Sequence, residues 1–228
     1  MSRLAVLSTI LLLVGCSDLP DEAAGVVGLQ IETPEILTLE TGETLALSAT
    51  ALDKDGNPIA ADVAWSAPDT TLTVDPATGV ITGVSPGPGR VQAFVGQLAS
   101  SLVQFTVIAR ADTLIVTDSV FTVAPGVLAS APLVAHLQSH NPTAVLPERP
   151  VVYAVTSPPD VGPHTVELPG GVLTDTVNTG TDGAVSSVTL NRVSSIAQPD
   201  TAIVEVRAFR TRGAPVPGSG QRFIVIFQ

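Results

Sequence analysis

The fold is decided by residues 65–93, which read WSAPDTTLTVDPATGVITGVSPGPGRVQA. At the centre of this stretch, VDPATGV has the chemistry of a tight turn between two short strands. Asp75 can accept backbone N–H groups, Pro76 presets φ, and Gly79 can adopt the left-handed conformation. Trp65 lies in a strand-forming run, and a tryptophan in a central strand can fill the space between two sheets. The stretch therefore predicts part of a β-sandwich.

Short runs of alternating apolar and polar residues surround this stretch. Residues 44–52 place Leu45, Leu47 and Ala49 on one face of a strand. The 19 glycines and 19 prolines are spread along the whole chain. Such a distribution favours many short strands joined by turns and disfavours long helices. The sequence therefore predicts an all-β protein.

The quoted stretch resembles the group 2 bacterial immunoglobulin-like domain found in intimin-type adhesins and many other surface proteins. The resemblance rests on Trp65-Ser66, on the hairpin sequence VDPATGVITG and on the strand that follows Gly89. It covers nearly all of residues 26–109 and implies an immunoglobulin-like sandwich there. Arg90 departs from the family pattern, in which small residues are commoner, and we expect it to face solvent.

Residues 112–228 repeat the same order of strands and turns. Their run TDGAVSSVTL and the final strands resemble group 1, invasin-type, bacterial immunoglobulin-like domains, and Tyr153 stands near the place of Trp65. The resemblance implies a second sandwich in tandem with the first. Residues 181–190 are predicted as a strand, and the segment that follows Leu137 as far as Pro150 is predicted as a loop. Residues 147–150, 157–169 and 191–201 are predicted to form loops that are longer than that pattern has.

Two further expectations concern the join between the domains and their cores. Residues 108–112 contain neither glycine nor proline, which predicts a short and stiff connection. The residues predicted to be buried are large apolar side chains of the alternating runs: Leu45, Leu47, Trp65, Val91, Phe105, Leu133, Tyr153, Val188, Leu190, Val204, Phe223 and Val225.

The N-terminus reads MSRLAVLSTILLLVGCSDLPD and holds the only cysteine of the chain. Residues 4–14 are too short to span a membrane but suit the apolar part of a signal peptide. The sequence LVGC resembles the lipobox of bacterial lipoproteins, which implies cleavage before Cys16 and a lipid on its thiol. The alternative is an ordinary signal peptide with an incidental cysteine. We expect a signal peptide over residues 1–15 and a lipidated tether over 16–25.

Charge and anchoring together predict where the protein acts. A formal charge of −11 would be repelled by nucleic acid phosphates, so a nucleic acid partner is not expected. Two or three acyl chains on Cys16 would hold the protein on a membrane. Ser17, rather than aspartate, resembles the signal for onward transport to an outer membrane. The expected address is therefore the bacterial cell envelope, at the outer membrane.

Two groups of side chains are candidate metal ligands. Asp53, Asp55 and Asp62 half resemble a calcium loop, but Ala51 occupies its first ligand position, and a plain hairpin turn uses the same residues. A second group would be formed by the three histidines, which lack convergent spacing for zinc: His136, His140 and His164. We therefore predict no metal and no cofactor.

No motif for a nucleophile, a metalloprotease or a phosphate loop occurs in the chain. We therefore expect a non-enzymatic surface lipoprotein that acts as a structural spacer or as an adhesive, protein-binding module. Its partners would be envelope or host surface proteins or glycans. A carbohydrate-binding surface lipoprotein is the alternative, although Trp65 and Tyr153 are assigned to the core and few aromatics remain for a sugar platform.

Overall fold

The computed structural model describes residues 25–141, 143–160, 162–193 and 201–228. These residues form 22 β-strands and contain no α-helix. Consequently, no helix in the described part of the chain is long and apolar enough to cross a membrane. The predicted signal peptide and Cys16 lie outside the described residues.

Eleven strands build the first sandwich. Their bounds, in chain order, are β1 Gly28–Ile31, β2 Thr38–Glu40, β3 Thr44–Ala46, β4 Ala49–Leu52, β5 Pro58–Ile59, β6 Ala64–Ser66, β7 Leu72–Val74, β8 Val80–Gly83, β9 Gly87–Val95, β10 Leu98–Ala99 and β11 Val103–Ile108.

Three sheets enclose the buried residues of the first sandwich. The sheet β10-β9-β11-β2, with β6 also paired to β9, faces two smaller sheets, β1-β4-β5 and β3-β8-β7. Strand β2 runs parallel to β11, whereas the other pairs are antiparallel. The buried cluster between them draws Ile31, Leu39, Trp65, Ile81 and Phe105 from five different strands.

Eleven further strands build the second sandwich. Their bounds are β12 Thr113–Val116, β13 Val120–Val123, β14 Ala135–His140, β15 Thr143–Val145, β16 Pro150–Ser157, β17 Val166–Glu167, β18 Thr174–Asn178, β19 Ala184–Val185, β20 Asn191–Arg192, β21 Thr201–Ala208 and β22 Gln221–Phe227.

The second sandwich packs the five-stranded sheet β13-β22-β21-β16-β18 against the sheet β12-β14-β15, in which β19 also pairs with β14. Strands β17 and β20 form a small third sheet. The core contains Leu114, Leu137, Tyr153, Val204 and Phe223. The Tyr153 ring stacks on Phe223 with 6.1 Å between centroids, and its hydroxyl donates to the carbonyl of Leu133 at 3.0 Å.

The two sandwiches share the pairing of their first and last strands. In each, the first strand is split: β1 and β12 pair antiparallel with β4 and β14, while β2 and β13 run parallel to the last strands, β11 and β22. Trp65 and Tyr153 occupy corresponding positions in the two sandwiches. Trp65 lies on β6, which pairs with β9, and Tyr153 lies on β16, which pairs with the corresponding strand β21. The chain is therefore two tandem immunoglobulin-like sandwiches, as the sequence predicts.

The predicted core is largely confirmed. Of the expected core residues only Leu45 is not fully buried, and it packs against the first core from a half-buried position. Val188 and Leu190 are buried although their predicted strand does not form. The apolar alternation of residues 181–190 thus predicts which side chains are buried. Only Ala184 and Val185 of these residues pair with another strand, β14.

Three segments differ from the sequence-based expectation. The predicted strand over residues 44–52 is two strands, because β3 pairs with β8 while β4 pairs with β1 and β5. The segment after Leu137, predicted as loop, continues as β14 and turns back through β15. The predicted loops over 157–169 and 191–201 contribute β17 and β20, which pair with each other. Very short strands carry too little alternation to be recognised from sequence.

Candidate functional site

The hairpin between β7 and β8 holds Trp65 in place. The Asp75 carboxylate accepts the N–H groups of Ala77 and Thr78 at 3.0 and 2.8 Å, and these bonds lower the pKa of Asp75, that of Thr78 most strongly. Gly79 has φ +70°, and a Cβ added there would lie 2.6 Å from the indole ring. The turn therefore needs glycine for two reasons, its backbone conformation and the close approach of Trp65.

Arg90, the departure from the family pattern, faces solvent as expected and binds Asp69. Its Nε and Nη2 donate to the two carboxylate oxygens, each at 2.9 Å. This bidentate pair lowers the pKa of Asp69 and raises the pKa of Arg90. It links the β6–β7 connection to β9 within the first sandwich.

The calcium candidates are used by their own turn. Asp53 Oδ1 accepts the N–H groups of Asp55 and Asn57, both at 2.8 Å, and the bond from Asn57 contributes most to lowering the pKa of Asp53. The Asp55 carboxylate contacts Lys54 Nζ at 2.7 Å. Asp62 is exposed and joins neither contact. The interpretation of these residues as a hairpin turn accounts for the contacts of Asp53 and Asp55.

The histidines lie apart from one another. His140, at the end of β14, approaches Thr113, and His164 contacts Asp160 at 3.0 Å, while His136 lies within β14. Within the four described ranges, no group of three or more His, Cys, Asp or Glu side chains lies close enough to hold a metal ion.

Among the described residues, a group of bonded charges lies at the junction of the two sandwiches and centres on Glu40. This glutamate ends β2 in the first sandwich and is only 1% exposed. Its Oε1 accepts hydrogen bonds from Arg149 Nη1 and Thr211 Oγ1, both at 3.4 Å. Its Oε2 accepts from the N–H of Ala111 at 3.4 Å and lies 3.8 Å from Arg210 Nε.

A second set of hydrogen bonds holds the connecting segment, residues 108–112, to Arg149 and Arg210. Arg149 Nη2 donates to the carbonyl of Ala109 at 2.6 Å, and Arg210 Nε donates to the carbonyl of Ala111 at 3.1 Å. Burial lowers the pKa of the Arg149 guanidinium, and the charge of Glu40 opposes that shift. The connecting segment is therefore hydrogen-bonded to the second sandwich through the carbonyl groups of Ala109 and Ala111.

Arg212 completes the junction at the edge of the first sandwich. Its Nη2 donates to the carbonyls of Ile36 and Thr38 at 3.3 and 3.2 Å, and its Nε lies 2.8 Å from Glu43 Oε1. Since the intervening carbonyl, that of Leu37, accepts from Thr106 of β11, the two carbonyls bonded by Arg212 face away from the sheet. Arg212 thus caps the free edge that leads into β2.

The motifs and the apolar alternation of the sequence do not predict these junction residues. One signal was available: the motif FRTR at residues 209–212 places two arginines close together in a chain with few basic residues. Nothing in the sequence indicates that Glu40, more than a hundred residues earlier, is their partner.

Comparison with known proteins gives the following matches. Residues 31–107 match the model of the bacterial Ig-like domain (group 2). No protein with a curated functional description matches the sequence.

Among solved structures, the chain is similar to the Yersinia pseudotuberculosis adhesin InvE, with 16% identity, 88% of this chain and 58% of that chain covered, and a TM-score of 0.40. It is also similar to domains 4 and 5 of the S-layer protein SbsC, with 18% identity, coverage of 90% and 99%, and a TM-score of 0.33. It is similar as well to the Clostridium thermocellum CbhA fibronectin(III)-like modules, with 18% identity, 88% of this chain and 94% of that chain covered, and a TM-score of 0.41.

The chain thus spans a little over half of the adhesin's length. The resemblance deduced from Trp65 and the VDPATGVITG hairpin agrees with the family model over residues 31–107. These residues accordingly match the group 2 bacterial Ig-like domain, and they lie within the first of the two sandwiches.

Proposed function

We propose that this protein is a lipid-anchored surface protein of the bacterial envelope, whose two sandwiches act as a structural spacer or as an adhesive module. Cys16 would carry the lipid, residues 1–15 would be removed as the signal peptide, and 16–25 would tether the anchor to the first sandwich. The domain bounds that go with this proposal are 26–109 and 112–228.

The observation that carries the proposal is the structural use of the ionisable side chains. Asp53 and Asp75 accept backbone N–H groups of their own turns, Asp69 holds Arg90, and Glu40 joins the two sandwiches. Catalysis needs such groups in a cleft with partners for proton transfer or nucleophilic attack. A chain that uses them for turns and for domain packing is suited to present a surface, which supports a non-enzymatic role.

Anchoring is tested by metabolic labelling with palmitate. We expect label on the wild-type protein in the membrane fraction, and no label on Cys16→Ser, because the thiol is the group that receives the lipid. Ser17→Thr is the matched control, since it changes the neighbouring side chain and keeps the thiol. Equal labelling of the wild type and Cys16→Ser would contradict the anchor.

The surface role is tested on intact cells. We expect protease added outside to remove the wild-type protein, and affinity purification from envelope extracts to recover the same protein partner from the wild type in replicate experiments if the module is adhesive. A spacer would show surface exposure without a partner. Binding of the purified protein to a glycan array would instead favour the carbohydrate-binding alternative and contradict the protein-binding proposal.

A further inference from the structure

We propose that Glu40 locks the two sandwiches into one rigid body, and that the same docked arrangement seals the free edge of the first sandwich at β2. The lock would be formed by Glu40 with Arg149 and Arg210, and the seal by Arg212. This inference goes beyond the proposed function, because it concerns the relative motion of the domains and does not depend on the lipid anchor.

The first argument is the burial of a charge. An ionised carboxylate is costly to remove from water unless cations and hydrogen-bond donors surround it. The donors to the Glu40 side chain belong to the second sandwich or to the connection: Arg149 precedes β16, Thr211 follows β21, and Ala111 lies in the connecting segment. Glu40 can therefore be buried and satisfied only when the second sandwich is docked.

The second argument is that the connecting segment is held by the same residues. Rotation within residues 109–111 would break the bonds of Arg149 to Ala109 and of Arg210 to Ala111. Both arginines also contact Glu40, so hinge motion would separate the buried charges at the same time. Domain rotation and the opening of the ionic cluster are thus one event.

The third argument concerns the edge of the sheet. An uncovered edge strand offers free N–H and C=O groups to other extended chains, and proteins protect such edges with charged side chains or with neighbouring segments. Here Arg212 of the second sandwich bonds the outward carbonyls of Ile36 and Thr38, and Glu43 Oε2 accepts the N–H of Glu40 at 2.8 Å. Docking of the second sandwich therefore also protects this edge.

The lock predicts the consequence of removing its central charge. Without Glu40, closure would keep the partly buried Arg149 and Arg210 desolvated beside each other with no counter-charge between them. Separation of the domains would return both guanidinium groups to water. Loss of the carboxylate therefore favours an open and mobile arrangement, whereas loss of an ion pair within one sandwich leaves the domain arrangement unchanged.

The experiment measures distances between spin labels placed on the two sandwiches. The full chain would carry Cys16→Ser, which removes the only native cysteine, together with Lys54→Cys and Thr174→Cys at exposed positions of the first and second sandwich. Double electron–electron resonance would compare this protein with the same protein carrying Glu40→Gln, Arg212→Gln or the matched control Asp69→Asn. Asp69 pairs with Arg90 inside the first sandwich.

We expect one narrow distance distribution for the parent protein and for Asp69→Asn. Glu40→Gln should lose the narrow peak and give a broad distance distribution. In a separate hydrogen-exchange measurement, Arg212→Gln should raise the amide exchange rates of Glu40 and its neighbours in β2. A broad distribution in the parent protein would overturn the lock, and so would a narrow one in Glu40→Gln. If Glu40→Gln does not fold, the double variant Arg149→Gln with Arg210→Gln replaces it, and retention of the narrow peak there would equally overturn the proposal.

Discussion

A single glycine controls how closely the hairpin approaches the tryptophan of the first core. Gly79 and Gly56 both have positive φ, at +70° and +81°. They differ in their surroundings: a Cβ on Gly79 would lie 2.6 Å from the Trp65 ring, whereas a Cβ on Gly56 would meet nothing within 4 Å. The two positions therefore form a matched pair, in which the backbone strain is shared and the contact with the indole is not.

We predict that Gly79→Ala destabilises the protein more than Gly56→Ala does. Gly56→Ala should lower the free energy of unfolding by about 1–2 kcal/mol, the cost of a left-handed alanine. Gly79→Ala carries this cost and also displaces Trp65. Urea unfolding followed by the tryptophan fluorescence measures both variants, and equal effects at the two glycines would contradict the close contact.

Trp65 itself is predicted to be one of the most costly residues to truncate. It is buried among Leu72, Ile81 and Val91 in the first core. Trp65→Ala should lower the free energy of unfolding of the first sandwich by about 3–5 kcal/mol, because it removes a large buried ring and leaves a cavity. Circular dichroism in urea measures the loss, with Val27→Ala at an exposed position as the control. A loss below about 1 kcal/mol, as for surface substitutions, would contradict its place in the core.

At the scale of elements, the hairpin between β7 and β8 shows how a turn becomes sensitive to acid. The N–H groups of Thr78 and Ala77 hold the pKa of Asp75 below its ordinary value. Since the folded-state pKa lies below the unfolded-state value of about 3.9, the stabilisation by Asp75 is fully present above that pH. It is lost as the pH falls through the lowered folded-state pKa.

We predict that the melting temperatures of the wild type and Asp75→Asn differ more at neutral pH than in acid. Asparagine keeps the side-chain acceptor but has no charge to titrate, so the advantage of the wild type should shrink below about pH 4. Thermal unfolding at a series of pH values measures this difference. A difference that stays constant down to strong acid would show that the charge of Asp75 does not stabilise the turn.

The same elements show which parts of the fold could be predicted. The VDPATGVITG turn was predictable because its chemistry is local: Asp75, Pro76 and Gly79 act on neighbours within a few residues. The break between β3 and β4 was not, because it depends on which strands each half pairs with, β8 for one and β1 for the other. Long-range pairing decides where an alternating run is divided, and alternation alone does not report it.

At the scale of the whole molecule, the same distinction separates the cores from the junction. The two cores were predictable from apolar alternation, and they contain no residue in common. The junction was not, because Glu40 meets Arg149 and Arg210 only after both sandwiches have formed. The stiffness of residues 108–112 stays a prediction. The lack of glycine and proline favours it, and so do the bonds of Ala109 and Ala111 to arginine side chains, which the sequence did not predict.

The response to added salt distinguishes buried from exposed charges at the junction of the two sandwiches. Added salt screens exposed ion pairs strongly, since the Debye length falls to about 3 Å at 1 M, but it screens buried pairs much less. Glu40 is almost fully buried, and Arg149 has a side-chain exposure of 16%. We therefore expect small-angle scattering of a chain that begins at Ser17 to give the same maximum dimension in low salt and in about 1 M salt. The Glu40→Gln chain should give a broader distance distribution at both concentrations. A wild-type profile that changes from rigid to flexible as salt increases would mean that exposed charges, and not the buried carboxylate, hold the two sandwiches together.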